Sequence, residues 1–122
     1  MKILHIGDVV GAAGCQFLEK HLPSMKRTHH IDLTIVNGEN SAQGNGITKH
    51  SMEQIFSAGA DVITTGNHCF KRRESLAIYD EPMVLRPANY PDGCVGKGVC
   101  TVDFGPCQVA VVNLSGTAYL DP

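Results

Sequence analysis

Long apolar runs are missing from this 122-residue chain. None approaches the roughly 18–20 residues that span a bilayer. The opening "MKILHIGDVV" has one lysine and four further residues before Gly7-Asp8. A secretory leader needs an apolar core of about 7–15 residues, so this segment predicts a β-strand and a cytoplasmic protein. Paired cysteines are missing too. The five cysteines, at 15, 69, 94, 100 and 107, are odd in number and contain no C-x-x-C. They read as reduced thiols, neither a disulfide frame nor a zinc knuckle. Nor is there a large charge excess: the net charge is −2, with 18% charged and 43% apolar residues. That balance excludes a disordered acidic tail and gives no strong nucleic-acid signal. The one clear basic cluster, Lys71-Arg72-Arg73, is expected on a solvated helix face. Repeats, low-complexity segments and linkers are absent, so residues 1–122 read as a single domain.

What is present alternates. "KILHI" (2–6) predicts a first strand, and residues 14–29 a helix with Phe17, Leu18, His21, Leu22 and Met25 at helical spacing. Pro23 lies inside that helix and is expected to kink or divide it. "DLTIV" (32–36) predicts the second strand, followed by the polar loop "GENSAQGNG" (38–46). The next helix has Met52, Ile55 and Phe56 as its stripe and Gly59 as its stop. "DVITT" (61–65) predicts the third strand, and a charged helix is expected at 71–80. "MVLRPANY" predicts a fourth, shorter extended segment limited by Pro87. "GVCTVDFGPCQVAVVNL" reads as a hairpin turning at Gly105-Pro106. The class is α/β: a partial sheet of about five to six strands, mostly parallel, with a C-terminal antiparallel hairpin and flanking helices.

The polar residues fall where such a fold uses them. Ligands of parallel α/β sheets bind outside the carboxyl ends of the strands. Here the first strand ends in Gly7-Asp8, the second in Gly38-Glu39-Asn40 and the third in Gly66-Asn67-His68. Singly, Asp8 reads as a cap, Asn40 and Asn67 as turn residues, and His68 as a structural histidine. Recurrence at three equivalent places argues for a site built from Asp8, Glu39, Asn40, Asn67 and His68. Mixed oxygen and nitrogen donors suit manganese, iron(II) or magnesium. Two such ions about 3.5–4 Å apart, bridged by one carboxylate, would activate water for attack on phosphorus. An imidazole free of metal could protonate the leaving oxygen.

"GDVVG", "NGENSAQGNGIT", "GNHCF" and "RPANYP", in that order and spacing, resemble the YmdB-like branch of the calcineurin-type metallophosphoesterases. The resemblance covers essentially the whole chain and implies a metallophosphoesterase-like sandwich. The implied activity is a two-metal phosphodiesterase for 2′,3′-cyclic nucleotides or related small phosphodiesters, with iron or manganese, or magnesium, as cofactors. It further implies that Asp8 holds one metal, Glu39 bridges both, Asn40 completes the first site and Asn67 binds the second. His68 would be the acid, or would stabilise charge on the phosphoryl group.

Two departures qualify these expectations. An aspartate follows the aromatic residue in this branch, whereas Lys71 follows Phe70 here. Members are also about twice as long, and their later half supplies further histidine ligands. His5, His21, His29, His30 and His50 sit within or beside strands and helices and read as structural or surface residues. The chain thus resembles an N-terminal half, with a weakened second metal, low or no turnover, and a bare sheet edge favouring homo-oligomers. The competing expectation is a non-catalytic module that binds a nucleotide or protein through the same edge. A phosphate-cradling loop at "GDVVGAAG" is disfavoured, because glycines at 7, 11 and 14 match neither G-x-G-x-x-G nor the P-loop.

Overall fold

The computed structural model describes residues 1–120. The elements, in order, are β1 (Ile3–Ile6), α1 (Gly11–His29), β2 (Leu33–Asn37), α2 (Lys49–Ala58), β3 (Val62–Thr64), a 3-10 helix (Arg73–Asp80), β4 (Val99–Asp103) and β5 (Gln108–Val112). The first three strands form a parallel sheet in the order β1-β2-β3, with Ile3 opposite Leu33 and Val36 opposite Ile63. β4 and β5 form a separate antiparallel hairpin with Cys100 opposite Val111.

Period-two alternation divides the sheet residues between two cores. Val36 and Ile63, with Leu4 and Ile6, face the layer of α1, α2 and the 3-10 helix, where Leu18, Leu22, Ile55 and Ile78 are buried. Leu33 and Val62, with Ile35, face the opposite way, onto Cys100 and Val111 of the hairpin. The hairpin does not cover β1, so Ile3 and His5 on that face stay exposed.

Several expectations are corrected. The described residues hold five strands in two sheets, rather than one sheet of five to six. Segment 83–90 does not form a strand: it contributes the single bridge Ile63–Val84 on one side and Leu85–Lys97 on the other. Pro87, which has no N–H, follows at once, and the chain turns at Pro87 to Tyr90. Pro23 does not divide α1, which runs unbroken for 19 residues and starts at Gly11, three residues before the expected position. The charged segment after β3 winds as a 3-10 helix from Arg73. α2 ends at Gly59, at φ 123°, as read, and a capping box of Thr48 and Ser51, which the sequence reading did not name, opens it.

The basic cluster is not uniformly solvated. Lys71 and Arg73 are exposed, but Arg72 is half-buried. Its Nε donates to the Asn45 carbonyl at 3.1 Å and its Nη2 to the Gln43 carbonyl, so it pins the glycine-rich loop.

Candidate functional site

The carboxyl ends of β1, β2 and β3 are tied together through the backbone. Val9 N–H donates to the Asn37 carbonyl at 3.1 Å, Gly11 N–H to Asn40 at 3.0 Å, and Gly38 N–H to Thr64 at 3.0 Å. Gly38 is buried against Ile47, Ile55 and Ile63, where an added Cβ would lie 3.1–3.4 Å from their side chains. The apolar core therefore fixes where Glu39 and Asn40 emerge.

Four of the five sequence-selected residues join one hydrogen-bond network. Asn40 Nδ2 donates to Asp8 Oδ1 at 2.9 Å, and Asn40 Oδ1 lies 2.7 Å from His68 Nδ1. A carboxylate only accepts, so Asp8 sets the amide with its nitrogen toward Asp8 and its oxygen toward His68. The imidazole proton then sits on Nδ1, and Nε2 is left unengaged by Asn40. Glu39 Oε2 accepts the His68 backbone N–H at 3.1 Å and lies 3.8 Å from His68 Nδ1. Asp8 does not cap α1, whose N-cap is Val10.

Asn67 joins this group differently. It is exposed and lines the same cleft as Asp8 and Glu39, a cavity of about 850 Å³ between the strand ends and the stretch following β5. His5, read as a structural or surface residue, is exposed on β1 and lines this cleft too.

Three contributors escape the motif reading. Asn37 grips Glu39 twice: its Oδ1 accepts the Glu39 N–H at 3.2 Å and its Nδ2 donates to Oε1 at 3.2 Å. Gly66 makes room, because a Cβ there would lie 2.5 Å from Oε1 and 2.8 Å from Oε2. Tyr79, at 4% exposure, donates its hydroxyl to the Cys69 carbonyl and braces the turn bearing Asn67 and His68. Burial holds the Tyr79 phenol well above the ordinary tyrosine range and lifts the Cys69 thiol as well. Asn37 closes an asparagine turn visible in the sequence; Gly66 and Tyr79 act through contacts that no local pattern encodes.

Among the described residues, no three His, Cys, Asp or Glu side chains gather into a metal-binding group. The donor chemistry nevertheless fits a hard divalent ion in part. Each Glu39 oxygen accepts one protein hydrogen bond, and a carboxylate offers about four lone-pair sites. Asp8 accepts one bond from Asn40, and Asn67 lines the cleft.

Known proteins of the same pattern are about twice as long. This chain is 41% identical to the 2′,3′-cyclic-nucleotide 2′-phosphodiesterase of Bacillus subtilis (strain 168), over 100% of this chain and 47% of that protein. A solved hypothetical protein from Thermus thermophilus superposes with a TM-score of 0.93 at 36% identity, covering 100% of this chain and 48% of the other. A solved phosphatase from Mycoplasma pneumoniae gives 0.88 at 30% identity, over 96% and 43% respectively. The chain therefore spans about half the length of the curated relative and of both solved structures. A family model described as YmdB-like protein matches residues 4–122, nearly every residue in hand, and the chain belongs to that family.

Proposed function

We propose that this chain is the part of a metallophosphoesterase domain that carries the acid and about half the ligands of a two-metal phosphodiesterase. The substrate class is a small phosphodiester, with 2′,3′-cyclic nucleotides first. The observation that carries the proposal is the hydrogen-bonded run from Asp8 through Asn40 to His68, with Glu39 beside it, at the carboxyl ends of three parallel strands.

Asp8, Glu39, Asn40 and Asn67 would hold the divalent ions, and those ions would supply an activated water and neutralise phosphoryl charge. Glu39 suits a bridging role because Asn37 Nδ2 and the His68 N–H each bond a different carboxylate oxygen, leaving a lone pair on each for an ion. Asn40 Oδ1 accepts from His68 Nδ1, so the imidazolium form would carry its second proton on Nε2 and deliver that proton to the departing ribose oxygen. The lone pair that Oδ1 does not give to His68 remains for an ion.

Metal analysis tests this. Purified chain should carry manganese or iron(II), and Glu39→Ala should abolish that binding; unchanged metal content in the variant would remove the central claim. The lack of a three-member His, Cys, Asp and Glu group among the described residues favours a second reading, a non-catalytic nucleotide-binding module. Calorimetry with a cyclic nucleotide in chelator separates the two. Binding in the chelator, by a chain that takes up no metal, supports the module.

A further inference from the structure

Beside the large cleft lies a second cavity of about 370 Å³, between the turn after β3, the Asn89-Tyr90 segment and the stretch following β5. The two cavities share Asn67, Ser115, Gly116 and Leu120 as walls, so they adjoin along these residues. A diester held at Asp8, Glu39 and Asn67 would extend its organic part over Asn67 into this space.

The walls specify what fits. None of the described residues lining the cavity carries a charge. Such a space suits a neutral group and gives nothing to a second phosphate or a carboxylate. Tyr90 supplies an aromatic ring, half-buried and set against Phe70 in an edge arrangement at 5.9 Å. Asn89 is locked by a reciprocal pair: its Nδ2 donates to the Ser115 carbonyl at 2.7 Å, and its Oδ1 accepts the Ser115 N–H at 3.0 Å. That pair uses one amide N–H and leaves the other for an acceptor. Thr117 adds a hydroxyl. A flat ring to stack on, one fixed donor and one adaptable hydroxyl match a heteroaromatic base, and the volume falls within the usual range for small-molecule sites.

We propose that this cavity is the nucleobase subsite, with Tyr90 as the stacking surface and the Asn89 amide and Thr117 hydroxyl as partners for the base edge. The placement of the phosphate rests on the phosphodiesterase reading above.

Calorimetry on the purified chain, with manganese and separately in chelator, tests it using two probes. One is adenosine 2′,3′-cyclic phosphate; the other is glycerol 1,2-cyclic phosphate, which has the diester and no base. The nucleotide should bind more tightly by about 5- to 150-fold, the range for one base stacked on an aromatic side chain. Tyr90→Leu should erase that advantage and leave the glycerol diester's affinity unchanged, while Tyr90→Phe keeps it. Amide resonances of Asn89 and Thr117, which line only the smaller cavity, should shift with the nucleotide in the unmutated chain and stay in place with the glycerol diester. They decide the matter if Tyr90→Leu does not fold. Equal affinity for the two probes, no nucleotide binding in either condition, or full nucleotide affinity in Tyr90→Leu overturns the proposal. Loss of the metal reading shows separately, as unchanged metal content in Glu39→Ala, because the base-dependent difference persists in chelator.

Discussion

Gly66→Ala is a steric probe of the Glu39 carboxylate. Gly66 does not occupy the left-handed region, so its backbone accepts alanine. The added methyl would meet Oε1 at 2.5 Å, Oε2 at 2.8 Å and Cδ at 3.0 Å, all from Glu39. Reaching an ordinary 3.4 Å contact requires the carboxylate to withdraw by 3.4 − 2.5, about 0.9 Å. The bonds from Asn37 Nδ2 at 3.2 Å and His68 N–H at 3.1 Å do not survive such a move. Hydrogen bonds to a charged acceptor contribute about 1.5–3 kcal/mol each when buried. Water reaches this rim, so the pair together is worth about 1–3 kcal/mol. Replacing glycine returns about 0.4–1 kcal/mol through the unfolded chain, for a net loss of about 0–2.6 kcal/mol. In a Glu39→Ala background the clash is gone, and Gly66→Ala should be neutral or slightly stabilising. Urea unfolding followed by far-ultraviolet circular dichroism on the four proteins of this cycle should give a coupling of about 1–3 kcal/mol. Additivity within about 0.5 kcal/mol would refute the reasoning.

Gly98→Ala should be far more severe, because its Cβ would lie 2.2 Å from the Ala88 Cα, and backbone cannot swing aside. A loss above about 3 kcal/mol, read as a collapse of the thermal transition, is expected, and a near-native transition would count against the packing of Ala88 on Gly98. A second expectation concerns alkaline pH. Tyr79 is pushed up, and Tyr90 is raised to about 12, in both cases first by burial. The folded chain keeps protons that the unfolded chain sheds at about pH 10, so stability is level below that pH and falls above it. The slope is at most about 1.4 kcal/mol per pH unit for each tyrosine. Urea midpoints from about pH 8 to 11.5 should show this decline and Tyr79→Phe should reduce it; a flat profile contradicts the burial of both phenols.

Residues whose roles are set by neighbours in sequence were legible, and those set by packing were not. The short runs "DLTIV" and "DVITT", each bounded by a glycine, located β2 and β3, and Gly59 marked the end of α2. The recurrence of a glycine followed by a polar residue after each strand picked out Asp8, Glu39 and Asn67, which line one cleft, because parallel strands deliver their ends to one edge. α1 began early because the Gly11 N–H is satisfied by the Asn40 carbonyl, 29 residues away. Arg72 looked like solvent-facing charge, yet Gln43 and Asn45 offer it carbonyls across an equally long separation. Gly66 resembles a turn glycine in sequence, and only the folded chain shows that its missing Cβ houses a carboxylate. The 83–90 segment has strand-forming residues, but only two of them meet a neighbour before Pro87 turns the chain.

The backbone bonds among the three strand ends have a kinetic meaning. Because Asn37 receives Val9, Asn40 receives Gly11 and Thr64 receives Gly38, no site loop can lift away without unzipping the next. Local fraying, which gives many binding loops their adaptability, is closed to this floor, and its amides should exchange with solvent only as fast as the sheet itself opens. A ligand arriving there meets a surface already in its final shape. Little ordering entropy remains to be lost on contact, so discrimination between ligands must come from fit against fixed walls rather than from loops closing around the right guest.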